Sequence, residues 1–232
     1  MKIRSLLPLS LVAAGAVVGA TATAASAATT TVRQETATGA PYAGNWQVST
    51  VGAVTFGISF LGTNVTGTCD NAKLKGTITA AGTGALTAAS IGACRTSNGI
   101  SSPPTDLGDL PRNTGHVTYA PVARGRDGTL TIDGDLTFKL EGDFLFAHRV
   151  CYFGFRTNGT PGLSFDLYNR DNPNRPLPND DAQGKSTNIT LVRLPGSDGL
   201  CPANGTFGAS AIARGEKVPG SGTFDRKLYL TS

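Results

Sequence analysis

The chain has 232 residues, 20 Lys and Arg against 16 Asp and Glu, a formal charge of +4, and 39% hydrophobic residues. That length suits one sizeable domain rather than several. With no clustered lysines or arginines, the sequence carries no nucleic-acid footprint, and nucleic acid is excluded as a partner.

The first element is a secretory signal over residues 1–27. Lys2 and Arg4 form a short positive segment, Leu6 to Ala20 is apolar apart from Ser10, and Ala25-Ser26-Ala27 supplies the small residues that signal peptidase reads. Cleavage is predicted after Ala27. The apolar stretch is too short for a membrane anchor. No twin arginine marks the folded-protein export route, and no cysteine follows that could carry a lipid. Losing Lys2 and Arg4 lowers the formal charge by two, to +2. The mature chain is therefore expected to be extracellular, without a membrane anchor, and monomeric. Exported thiols meet an oxidising compartment, so Cys69, Cys94, Cys151 and Cys201 are expected to form two disulfides. No two of them form a CxxC pair, which disfavours a zinc site. No cofactor is expected.

Residues 28–43 are rich in Ala and Thr and lack periodicity, and are predicted to be a flexible arm in which Thr31-Val32-Arg33 could dock as an edge strand. From Gly44 onward the texture is that of a single all-β domain, 44–232. Short β-branched or aromatic runs are punctuated by Gly, Asn, Asp and Pro, and no window shows capped helical periodicity. Strands are predicted at 46–50, 54–61, 64–68, 73–79, 85–91 and 115–119. The clearest follows at 129–141. There Leu130, Ile132, Leu136, Phe138 and Leu140 fall on one side, with polar residues on the other and Gly134 at a bend. A turn at Glu141-Gly142-Asp143 would lead into 144–155, apolar on both faces, making 129–155 a hairpin at the centre of the domain. Further strands are predicted at 163–168, 188–194, 206–213 and 223–231. About a dozen short strands at this spacing point to an antiparallel β-sandwich, Greek-key or jelly-roll-like, with a closed or partly open β-barrel as the alternative. Two long loops, 101–114 and 169–186, are the places to look for a site.

The first cysteine pair follows from hairpin geometry. Strands 73–79 and 85–91 flank a glycine-containing turn, and pairing Ile78 with Leu86 sets Cys69 opposite Arg95, one residue from Cys94. Cys69–Cys94 would staple that hairpin, leaving Cys151–Cys201 by elimination. Loop entropy assigns these bonds about 3.5 and 4 kcal/mol.

The segment from Val65 to Cys94, with its TGTC strand and its later small-residue strand ending in cysteine, resembles one recurrent in small secreted actinobacterial proteins of unassigned function. Cys201-Pro202-Ala203-Asn204-Gly205-Thr206-Phe207 resembles their closing pattern. The resemblance covers about a third of the chain and implies a β-rich fold without an activity.

Candidate chemistry is sparse. A serine hydrolase needs a nucleophile, a base and an orienting acid. No GxSxG elbow is present, His148 reads as a hydrogen-bonded core residue, and His116 is the better candidate base. Asp133 and Asp135, two residues apart on one strand face, could act as paired carboxylates, but an ordinary solvated strand looks the same. Asp171, Asp180 and Asp181 give the second long loop the hard oxygen ligands calcium prefers, without EF-hand spacing. Trp46 and Tyr168 are the aromatic candidates for ligand binding, with Tyr42 and Tyr119 also near strand ends. The Asn-x-Ser/Thr triplets at Asn64, Asn158, Asn188 and Asn204 read as turn-plus-strand composition. No catalytic residue emerges. The scarcity of His, Trp and paired acids favours a non-enzymatic module binding an unknown extracellular ligand or surface, with a secreted ester or glycoside hydrolase as the alternative.

Overall fold

A computed structural model of the chain describes residues 29–60, 63–103, 105–144, 147–178, 181–186 and 188–232. The signal segment and its cleavage point lie outside them. The described residues form nineteen strands and no helix. The first seven are β1 (Thr31–Gln34), β2 (Gly44–Thr50), β3 (Val54–Phe60), β4 (Thr63–Cys69), β5 (Ala72–Ile78), β6 (Thr83–Ile91) and β7 (Cys94–Thr96). Next come β8 (Ser101–Ser102), β9 (Thr105–Asp106), β10 (Arg112–Tyr119), β11 (Gly128–Asp133), β12 (Thr137–Phe144) and β13 (Ala147–Thr157). The last six are β14 (Thr160–Tyr168), β15 (Gln183–Ser186), β16 (Ile189–Arg193), β17 (Asn204–Gly208), β18 (Ser210–Glu216) and β19 (Phe224–Thr231).

Eight strands close a barrel. β2, β5, β6, β10, β11, β14, β15 and β18 pair in that order, each antiparallel to its neighbours, and β18 returns to β2. The all-β expectation holds, in its barrel form. A second ladder, β8-β7-β4-β3-β17-β16-β13-β12, continues from one end of this barrel. Its outer strands meet where the Glu141 N–H on β12 donates to Ser102 Oγ on β8 at 3.0 Å. The chain crosses between barrel and ladder eight times, through corners of one to three residues, with β9 counted on the barrel side through its pairing with β6.

These corners account for the strands that the sequence pattern runs together. The predicted 129–141 strand divides into β11 in the barrel and β12 in the second ladder, separated by 134–136, with Gly134 at φ 93°. Only a residue without a Cβ takes that conformation cheaply. The alternation survives the corner: Leu130, Ile132, Leu136, Phe138 and Leu140 are all buried. The 206–213 strand likewise divides into β17 and β18 at Ala209. The predicted turn at 141–143 is instead part of β12, which pairs on to Phe144 opposite Ala147. Gly142 is there for space, since a Cβ would lie 2.6 Å from the Ser101 carbonyl oxygen. One true two-residue turn is Asn158-Gly159, at φ 51° and 83°, joining β13 to β14. Both central residues of this hairpin turn need positive φ, which Asn and Gly tolerate best.

One continuous core runs through both ladders. In the second ladder it is phenylalanine-rich: Phe138 meets Phe56 edge-on at 6.3 Å, and Phe155 meets Phe207 at 5.2 Å. Both predicted disulfides are formed, Cys69–Cys94 and Cys151–Cys201. The register beneath the first differs from expectation. Ile78 pairs with Gly84 and Leu86 with Gly76, and a bulge at Thr87 shifts the ladder so that Cys69 faces Cys94 directly. The bond also lies past the corners, on β4 and β7, rather than at the base of the β5–β6 hairpin.

Residues 29–43 are not a free arm. β1 pairs with β19 from Thr31↔Thr231 to Gln34↔Leu228, and Val32, Tyr42 and Leu230 form a buried cluster of their own. The edge-strand docking allowed for Thr31-Val32-Arg33 is what occurs, while the rest of the flexible-arm reading gives way to a valine and a tyrosine, spaced ten apart, that leave no periodic trace.

Candidate functional site

The barrel end remote from the second ladder carries the most constructed arrangement of side chains. β1 and β19 lie across it as a lid. The Val32 N–H donates to the Ala80 carbonyl at 2.8 Å in the β5–β6 turn, and the Tyr119 N–H at the end of β10 donates to Thr30 Oγ1 at 2.9 Å. Leu230 packs so closely on the start of β11 that a Cβ at Gly128 would meet its side chain at 2.4 Å.

The second long loop is pinned to this lid. Asn169, buried at the end of β14, donates through Nδ2 to the Leu230 carbonyl (2.9 Å) and accepts the Leu230 N–H at Oδ1 (2.8 Å). An amide side chain thus continues the backbone ladder of a strand whose polar groups would otherwise be buried unpaired. The Asp127 carboxylate accepts the Asn169 N–H (2.7 Å) and Asn172 Nδ2 (2.9 Å). Gln183, on β15 and fully buried, exchanges hydrogen bonds with both main-chain groups of Leu177. Asp171 accepts the Tyr229 hydroxyl at 2.9 and 2.8 Å; burial and this carboxylate push the Tyr229 hydroxyl up to about 12.

A further clamp holds the turn between β18 and β19. Glu216 is buried, and its carboxylate accepts Asn45 Nδ2 (2.9 Å) and the N–H groups of Gly220 (2.8 Å) and Gly222 (2.9 Å). The Gly220 and Asn45 hydrogen bonds hold its carboxyl below the ordinary glutamate range. The Tyr42 hydroxyl accepts the Glu216 N–H (2.8 Å) and donates to the Asn45 carbonyl, joining the lid's entry to its exit. Burial raises this hydroxyl's pKa.

Beneath the lid lies a chamber of about 70 Å³. Trp46 and Val48 from β2, Leu130 from β11, Leu167 from β14, Ala213 from β18 and Leu230 from the lid contribute to its wall. Trp46 and Tyr168, the two ligand-binding candidates, both border it. Trp46 is buried inside the barrel, so it offers no aromatic platform to solvent. Tyr168 is half-buried at the end of β14, and burial, with Asp166 nearby, raises its hydroxyl pKa.

The other candidates are dispersed. His148 is exposed on β13, 3.3 Å from Asp143, rather than in the core; the apolar run around it alternates only from Cys151 onward. Asp133 and Asp135 are separated by the Gly134 corner and have different basic partners, His116 at 3.6 Å and Arg156 at 2.7 Å, so they do not form a carboxylate pair. In the calcium set, Asp181 is paired with Arg214 (2.6 Å) and Lys227 (3.5 Å), Asp171 with Tyr229, and Asp180 lies outside the described residues. No group of three or more His, Cys, Asp or Glu side chains gathers among the described residues in a way that could hold a metal. Asn169, Gln183 and Glu216, which organise the lidded end, carry no motif. Asn169 bonds the Leu230 backbone 61 residues away, while Gln183 and Glu216 bond nearby backbone groups of Leu177, Gly220 and Gly222 through loop conformations that leave no residue pattern. No protein-family model matches the chain, and no curated protein or solved structure matches it either.

Proposed function

We propose that this is an exported extracellular binding module, without chemistry of its own, that holds its ligand at the lidded end of the barrel. The observation that carries the reading is the chamber beneath β1 and β19, walled by side chains from the barrel strands and bordered by the buried amides of Asn169 and Gln183. Eight-stranded barrels have room for side chains or one small ligand. Two disulfides fit an oxidising extracellular setting, and no helix among the described residues is long and apolar enough to cross a membrane. The signal segment and the actinobacterial resemblance belong to the same proposal.

Trp46 is the chain's one tryptophan and borders the chamber, so its emission reports that site. Protein collected from the medium of an exporting host should begin at Ala28, and ligand uptake should shift Trp46 emission saturably. The same material should leave a panel of chromogenic esters, peptides and glycosides unchanged. Turnover of any of them would replace the binding reading with the hydrolase one. The hydrolase reading has one observation in its favour, the His116 Nδ1 to Asp133 Oδ2 approach of 3.6 Å on the outer barrel face, the arrangement of a base with its orienting acid. Turnover abolished by His116→Ala would establish it.

A further inference from the structure

The walls of the chamber say what kind of guest it takes. Its side chains are almost wholly hydrocarbon, and the two amides at its margin are spent elsewhere: Asn169 on both main-chain groups of Leu230, Gln183 on both of Leu177. A buried water needs two to four polar partners, and apolar cavities without them stay dry and admit nonpolar guests. A charged guest would be desolvated with no counter-charge in the wall. Size narrows the class further. An apolar cavity of about 150 Å³ takes benzene or xenon, and this one, at about 70 Å³, is roughly half as large.

We infer that the chamber binds a short saturated aliphatic group of about three carbons, half the carbon count of the benzene that occupies a cavity about twice as large. The inference rests on the binding-module reading and gives it a ligand class. The group is supplied either as a free small hydrocarbon or as the end of a longer chain whose polar head remains outside the lid. Val32 and Leu230 are only 4% and 6% exposed, so a guest enters by displacement of the β1–β19 pair. Ala213 is the position at which the barrel wall leaves space, since a larger side chain there would fill the chamber from β18.

The test titrates the mature protein with propane, 1-octanol, benzene and benzoate, reading Trp46 emission and the thermal midpoint. Propane, octanol or both should give saturable emission changes and raise the midpoint by roughly 3 °C at tenfold excess over Kd. Propane alone identifies the free hydrocarbon, and octanol alone identifies a chain end. Benzoate should do nothing. Ala213→Leu should weaken the aliphatic probe at least tenfold while both disulfides and a cooperative melt are retained, and Ala182→Val serves the same purpose if that variant does not fold. Leu130→Ala should let benzene bind where the native chamber excludes it. Silence from both aliphatic probes, or unchanged binding in the filled variants, overturns the assignment. A polar compound that shifts Trp46 emission would overturn the ligand class yet leave the binding module standing. Turnover of a chromogenic substrate would remove the module reading and leave the chamber result intact.

Discussion

At the scale of single residues, the lidded end depends on two polar side chains that bond to backbone rather than to each other. Glu216 holds the β18–β19 turn through Gly220 and Gly222 and reaches β2 through Asn45. Its carboxyl is held below the ordinary glutamate value near 4.3. A group depressed in the folded state contributes stability above its unfolded pKa, and that contribution is lost as pH falls through the folded one. Acidification from neutral pH should therefore lower the thermal midpoint more in the native protein than in Glu216→Gln, and equal losses would exclude the clamp as the cause. Asn169 makes a different kind of demand. Replacing it with Ala leaves the Leu230 N–H and carbonyl buried without partners, which costs about 1–3 kcal/mol for each group orphaned. Asn169→Ala should thus destabilise by roughly 2–4 kcal/mol in denaturant unfolding, and should speed amide exchange first in β1 and β19.

At the scale of elements, the 134–136 corner decides how one alternating run serves two ladders. Leu136 has no exposed surface. Leu136→Asp would bury a carboxylate with no basic neighbour on the apolar side and should unfold the domain. Leu136→Ala should cost about 2–5 kcal/mol. Its neighbour Asp135 is half-exposed and paired with Arg156 at 2.7 Å, an interaction worth at most about 1 kcal/mol in that setting. Asp135→Ala should accordingly leave the melting temperature within a few degrees of the native value. Equal effects at 135 and 136 would contradict the inward orientation of the even-numbered residues. The corner itself was visible in advance as Gly134 occupying an apolar position; that the chain changes ladders there was not. A bend within one sheet and a passage between two sheets leave the same mark on a sequence.

At the scale of the whole molecule, two disulfides tie the second ladder together, one across β4 and β7 and one from β13 to the segment before β17. Non-reducing peptide mapping should recover Cys69–Cys94 and Cys151–Cys201, and a peptide joining Cys69 to Cys151 would refute the fold's strand order as well as the pairing. Reduction should cost on the order of 3–4 kcal/mol per bond by loop entropy, given separations of 25 and 50 residues. What the sequence by itself determined is local or compositional. The all-β character, most strand positions and the inward face of 130–140 follow from side-chain period and turn residues. Cys69–Cys94 follows from a hairpin spanning 25 residues, though in a shifted register, and Cys151–Cys201, 50 residues apart, only by elimination. The closure of the barrel, the docking of β1 on β19, and the chamber around Trp46 depend on pairings as distant as Val32 with Leu230. Such contacts are selected by which surfaces remain unburied after the local strands have formed, and a linear pattern does not record that competition. For the same reason Asn169 and Glu216 were legible only as polar loop residues. The role of Asn169 is set by the Leu230 backbone 61 residues away, and that of Glu216 by Asn45 across 171 residues together with a local turn that carries Gly220 and Gly222 back to its carboxylate.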